Sequence, residues 1–170
     1  MKTVVKKFGG MTLETEERIN RAVDEVAVEL EKGNSVISVV SAMGREGDPY
    51  ATDTLIGLME EVSPEIDPLK QDLLMSCGEV VSASLFSHYL DRAGYNSVPV
   101  TGYQAGIRTN REFGDAEIMN VDTDRLEEYM DRTRSIVLAG FQGSTKKGEI
   151  TTLGRGGSDT TAMRVGGEVG

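Results

Sequence analysis

Near the end of the chain, Gly154-Arg155-Gly156-Gly157-Ser158-Asp159 sets a single cation among glycines, next to residues of the kind that start helices. Glycines clear side chains from a ligand's path, and a guanidinium offers a planar fork to a carboxylate or phosphate. The plain alternative is a helix capped by Ser158 or Asp159 with a solvated arginine beside it. Glycines on both sides leave Arg155 no packing role, which favours an anion site. The loop is not a P-loop, since it lacks the Lys-Ser/Thr ending, and it is not a dinucleotide fingerprint.

Two further sets of residues have chemical potential. Lys7 precedes Gly9-Gly10, a turn that lets backbone N–H groups approach an anion before a helix start, although such turns are also common connective structure. Glu79 follows Gly78 inside an apolar helical stretch, where a buried carboxylate needs a partner: a substrate ammonium or a structural arginine. Gly78 is unfavourable mid-helix by about 1 kcal/mol against alanine, which implies a close neighbour. Cys77 is expected to be a small buried filler, and His88, the only histidine, a surface or packing residue. Arg125-Leu126-Glu127-Glu128 is expected to form a solvated helix face, and Lys146-Lys147 a solubilising turn.

No histidine is paired with a serine or cysteine nucleophile, and no His/Cys cluster has metal-ligand spacing. Phosphoryl transfer to a carboxylate fits such a set. A carboxylate is already ionised at neutral pH, with a reference pKa of about 4. The protein then has only to align two anions and neutralise their charge with Lys, Arg, Mg²⁺ and backbone N–H groups.

These residues must be held by regular elements. Residues 4–8 predict a strand. Ile19, Ala22, Val23, Val26, Ala27 and Leu30 predict a helix over 14–32, capped by Thr12 or Thr15. Residues 36–40 are apolar almost throughout, as in a strand covered on both faces. A loop spans 42–52, then a short helix to Met59 capped by Thr52 or Asp53, then one longer helix from Pro68 to about Asp91. A strand over 98–101 carries Pro99, which hints at a sheet edge. Residues 102–114 predict a loop, 116–121 a strand, 123–132 a helix and 136–141 a strong strand. Residues 142–154 predict a hairpin. The alternation argues for one α/β domain with a largely parallel sheet covered on both sides. Ligands of such sheets bind at the strands' carboxyl ends, where Gly9-Gly10 and Ser41–Gly47 fall, with 154–159 after the hairpin.

With 170 residues the chain suits one domain. Eighteen Lys and Arg against 28 Asp and Glu give a net charge of −10, which argues against nucleic-acid and anionic-membrane partners. The start of the chain has no apolar signal segment, no run approaches a membrane span, and one cysteine forms no internal disulfide. A cytoplasmic location is expected.

Taken together, VVKKFGG at 4–10, VVSAMG at 39–44, GDPYATDTLIGL at 47–58, SCGE at 76–79, AGFQG at 139–143 and ITTLGRGGSDTTA at 150–162 resemble the aspartate kinases of the amino-acid kinase superfamily. The motifs stand in the family's order across essentially the whole chain. The resemblance implies a three-layer α/β/α sandwich with a mainly parallel sheet. It also implies MgATP-dependent phosphorylation of the L-aspartate β-carboxylate, the first step toward lysine, threonine and methionine. Lys7 and Asp159 would be catalytic. Ser41, Thr52, Glu79, Arg155 and Ser158 would bind substrate, Glu79 through the ammonium. Gly9, Gly10, Thr12 and Gly156 would hold phosphate. Met11 stands where the family usually has threonine, so a hydroxyl contact is missing that Thr12 would partly replace.

By the same resemblance, residues 1–170 are the N-terminal portion of a catalytic domain, truncated on its C-terminal side and without ACT regulatory domains. The amino-acid site would be nearly complete and the nucleotide site half missing. The unfinished sheet edge would be covered in a homo-oligomer or by another chain. The competing expectation is a non-catalytic binding module or partner subunit, and a different carboxylate or carbamate kinase is disfavoured by GDPYATD and SCGE.

Overall fold

Burial on both faces accounts for the apolar run of the second strand. In the computed structural model, which describes residues 1–45 and 47–170, every residue of β2 (Ser35–Val40) is buried. Glu46, within the expected loop 42–52, lies outside the described residues. β2 pairs in parallel with β1 (Thr3–Phe8) and with β6 (Ser135–Ala139), and β6 pairs in parallel with β3 (Val98–Val100). The order β1-β2-β6-β3 leaves β3 at an edge, as Pro99 indicated.

One face of this sheet packs on α1 (Glu16–Glu31) and α4 (Cys77–Arg92). Val36, Val40 and Val137 meet Val23, Val26, Leu30, Ala83, Phe86 and Leu90 there. On the opposite face Ile37, Val39, Ile136 and Leu138 meet Leu126 of α5 (Thr123–Met130) and Val165 of α6 (Gly157–Val169). The α/β class with helices on both sides of a parallel sheet therefore stands. Thr15 caps α1, its hydroxyl accepting from the Arg18 N–H.

Several local expectations are corrected. The strands form two sheets, the second ordered β5-β4-β7-β8 from β5 (Ile118–Val121), β4 (Ile107–Thr109), β7 (Gln142–Ser144) and β8 (Ile150–Thr152). Within it β4/β5 and β7/β8 run antiparallel. β4 lies in the segment expected to be all loop, where Gly106 and a length of three residues hide its alternation. The expected helix 68–91 is interrupted at Ser76 into α3 (Pro68–Met75) and α4, and there the Ser76 carbonyl accepts from the buried Gln142 amide at 2.9 Å. The N-cap of α2 (Thr52–Glu60) is Ala51 rather than Thr52 or Asp53. Leu126 is 1% exposed, so the 125–128 run is not wholly a solvated face. No helix among the described residues is long and apolar enough to cross a membrane.

Candidate active site

At the carboxyl ends of β1, β2 and β6 the chain delivers Lys7, Ser41 and Phe141 to one cleft of about 640 Å³. The residues after β8, from Leu153 through Asp159, close its opposite wall, and Thr52, Asp53, Met75, Glu79 and Gly114 complete it. Of the residues singled out from sequence, Lys7, Ser41, Thr52, Glu79, Arg155, Gly156, Ser158 and Asp159 all line this cleft. Gly9, Gly10 and Thr12 do not. Gly9 adjoins it, since a Cβ there would lie 3.5 Å from Lys7 Nζ. Gly10 is required by packing, because a Cβ would come within 2.5 Å of the Ala42 carbonyl oxygen. Thr12 lies outside the cleft beside Met11, which is 69% exposed.

Lys7 Nζ is 3.1 Å from Asp159 Oδ1, with the two side chains 33% and 64% exposed. The pair bridges the end of β1 to the first turn of α6. That turn begins at Gly156, a left-handed N-cap with φ 73°, so neither Ser158 nor Asp159 is the cap. The first helical bond is donated by Thr160 N–H to Gly156 O, which leaves the amides of Gly157, Ser158 and Asp159 ahead of the hydrogen-bonded ladder, at the positive end of the helix. Arg155 is exposed at the cleft rim and makes no ion pair among the described residues.

Glu79 is 3% exposed. Its Oε1 accepts from the Ala42 N–H at 3.2 Å, and its Oε2 has no partner. Burial pushes its pKa up to about 8, against the smaller opposing effect of backbone hydrogen bonds. Gly78 allows this placement: a Cβ there would sit 2.9 Å from Ala42 Cβ and 3.0 Å from the Tyr50 carbonyl oxygen. Cys77, expected to be buried, is instead exposed, because Gly78 and Glu79 occupy the inward side of this turn. His88 is exposed, as is the Lys146-Lys147 turn.

Sequence reading missed the cleft's structural supports. Phe141 has φ 69°, unusual for a bulky side chain. It is pinned by donation from its N–H to Thr161 Oγ1 and from the Leu153 N–H to its carbonyl. Its ring fills the space above Gly157, where a Cβ would lie 2.6 Å from Phe141 Cδ2. Buried Asp72 on α3 was missed as well. No sequence signal marks either, since one is a backbone conformation and the other depends on partners far along the chain.

A parallel sheet with helices on both faces, and a cleft combining a lysine, an arginine, a helix N-terminus and a buried carboxylate, defines a fold and site suited to anionic substrates. The chain belongs to the amino acid kinase family, which matches residues 2–170. The aspartokinase of Geobacillus stearothermophilus is 46% identical over 163 residues, covering 96% of this chain and 39% of the relative. Aspartokinase 1 of Bacillus subtilis is 43% identical over 169 residues, covering 99% of this chain and 42% of the relative. The chain thus spans about two-fifths of the length of these curated relatives. Among solved structures, the aspartate kinase from Synechocystis superposes with a TM-score of 0.76 at 38% identity, covering 94% of this chain and 25% of that one. Aspartokinase III of E. coli, in complex with aspartate and ADP, superposes with a TM-score of 0.72 at 24% identity, covering 94% and 45%, a likeness of fold.

Proposed function

We propose that the cleft is the amino-acid site of an aspartate kinase, which transfers a phosphoryl group from ATP to the β-carboxylate of L-aspartate. The observation that carries the reading is Glu79: a buried carboxylate on the cleft wall with one oxygen satisfied by the Ala42 N–H and the other unpartnered. An α-ammonium is the partner that such a group lacks. The aspartokinase names of relatives above 40% identity across nearly the whole of this chain support the same substrate.

In this reading Arg155 and Ser41 hold the substrate's carboxylates, assisted by Thr52 and Ser158. The β-carboxylate is already an ionised nucleophile, so no base is needed to activate it. Lys7, oriented by Asp159, lowers the repulsion between the attacking carboxylate and the phosphoryl group. The free amides at the start of α6, beside Gly156, favour negative charge at the same place. Gly9 flanks the Lys7 end and would meet the donor's phosphates through its backbone, whereas Gly10 is held by packing and Thr12 lies outside the cleft.

The cleft residues fit MgATP in donor type. Asp53, exposed on the cleft wall, would present carboxylate oxygens of the kind magnesium takes, while Asp159 is engaged by Lys7. Magnesium carried with the nucleotide would supply neutralisation of phosphate charge there. The reading makes these residues the N-terminal portion of a catalytic domain acting at the first step toward lysine, threonine and methionine. It also includes self-association, or a further chain, along the exposed edge of the parallel sheet.

The test is aspartyl-hydroxamate formation by the purified chain with MgATP, L-aspartate and hydroxylamine. Aspartate binding by the chain is the expected result, and turnover, in the chain alone or once its nucleotide half is supplied, should require both substrates and collapse in Lys7→Ala while aspartate binding stays near normal. Turnover that survives the loss of Lys7 would remove the lysine from the mechanism. A chain that neither turns over nor binds aspartate would overturn the reading.

A further inference from the structure

We infer that Asp72 is a positioning residue of the cleft, a buried carboxylate that clamps the segment leading to Arg155, and the Gly114 wall, onto α3. Asp72 is 1% exposed. Its Oδ2 accepts from the Thr152 N–H at 2.7 Å and from the Gly114 N–H at 3.0 Å, while Oδ1 accepts from Thr152 Oγ1 at 2.9 Å. Three donors converge on it from segments 42 and 80 residues away in sequence. A charge removed from water to this degree is costly unless its oxygens are satisfied, and here both are.

What the three donors belong to gives the residue its role. Gly114 itself lines the cleft, and Thr152 lies three residues before Arg155. The two segments are also pressed together. A Cβ on Gly154 would overlap the Asp115 carboxylate, and the Ala116 N–H donates to Thr152 O at 3.0 Å. Both cleft walls therefore hang from a single acceptor on α3, the helix that also contributes Met75 to the lining. A carboxylate suits three donors because it carries no hydrogen of its own. Asparagine would turn an NH₂ toward one of them, and alanine would leave the buried Thr152 N–H unpaired and release the Gly114 N–H to solvent. Asp72 touches no substrate in this account and acts through the position of Arg155 and Gly114.

The effect on substrate affinity rests on the cleft being an aspartate site, whereas the effect on the loop does not. Asp72→Asn and Asp72→Ala are therefore read by two measurements. Amide hydrogen exchange at residues 153–157 and at Gly114 is expected to quicken by about threefold in the asparagine variant and about tenfold or more in the alanine variant, with β2 amides unchanged. The Kd for L-aspartate is expected to rise in the same order, by about threefold and about tenfold, under conditions where both variants are fully folded. If Asp72→Ala does not fold, the asparagine variant carries both readouts. Loop exchange unchanged in the folded variants would overturn the clamp. Faster exchange with an unchanged Kd would overturn the positioning role and leave Asp72 a stabilising residue only. If the parent chain does not bind L-aspartate, it is the functional reading that falls, and the exchange result alone decides the clamp.

Discussion

Glu79 shows most clearly how a single residue links stability and function. Its burial favours the neutral acid, so its pKa is about 8 in the folded chain against an ordinary 4.5. Between those values the folded state binds more protons than the unfolded state, and stability falls as pH rises through that window, levelling above about pH 8. Glu79→Gln removes the dependence while keeping the shape. Thermal or urea unfolding should show the variant close to wild type near pH 3, where the carboxyl is protonated in both states, and more stable by at least about 1 kcal/mol at pH 8.5. A wild-type excess at pH 8.5 would show that Glu79 is held as a satisfied anion. Sequence reading found Glu79 because a glutamate among apolar helix residues is conspicuous, but it left open whether an arginine satisfied it. Among the described residues no arginine does.

At the scale of elements, the cleft depends on strand ends and on one strained corner. The Phe141 ring occupies the volume that a side chain at position 157 would need, so the start of α6 can approach β6 only with glycine there. Gly157→Ala should destabilise the chain by about 1–3 kcal/mol through overpacking, and should weaken aspartate binding as the first turn of α6 shifts. Unchanged stability and binding would mean that the corner yields freely. Strands and helices with long periodic runs were legible in the sequence: α1, β2 and β6 fall within a residue or two of their expected limits. What escaped was decided by tertiary contacts. β4 is three residues long and exists only as a partner of β5 and β7, and the break between α3 and α4 falls where a side chain 66 residues away donates to the Ser76 carbonyl. The division of strands into two sheets has no local signature at all.

Across the whole molecule, a net charge of −10 surrounds a cleft that holds two cations, Lys7 and Arg155, beside three carboxylates, Asp53, Glu79 and Asp159, so attraction of an anion there depends on where the two cations are aimed. Eight of the residues singled out from sequence converge there from strand ends, helix starts and loops distributed along the chain. Lys7, Glu79 and the 154–159 loop were legible because their types are unusual for their surroundings, and Ser41 and Thr52 only through the family resemblance, whereas Asp72 and Phe141 act through geometry that only folding creates. The central claim is that this cleft binds L-aspartate with its ammonium on Glu79, and calorimetry tests it most directly. L-aspartate is titrated into the chain at pH 7 in buffers of differing ionisation heat, alongside Glu79→Gln and Arg155→Ala. Burial favours the protonated form of Glu79 in the free chain and the ammonium ionises it, so aspartate binding should release protons. Glu79→Gln should bind more weakly and release none, and Arg155→Ala should lose about 1.5–3 kcal/mol of affinity. Binding without proton release in the parent chain, or no binding at all, would contradict the account.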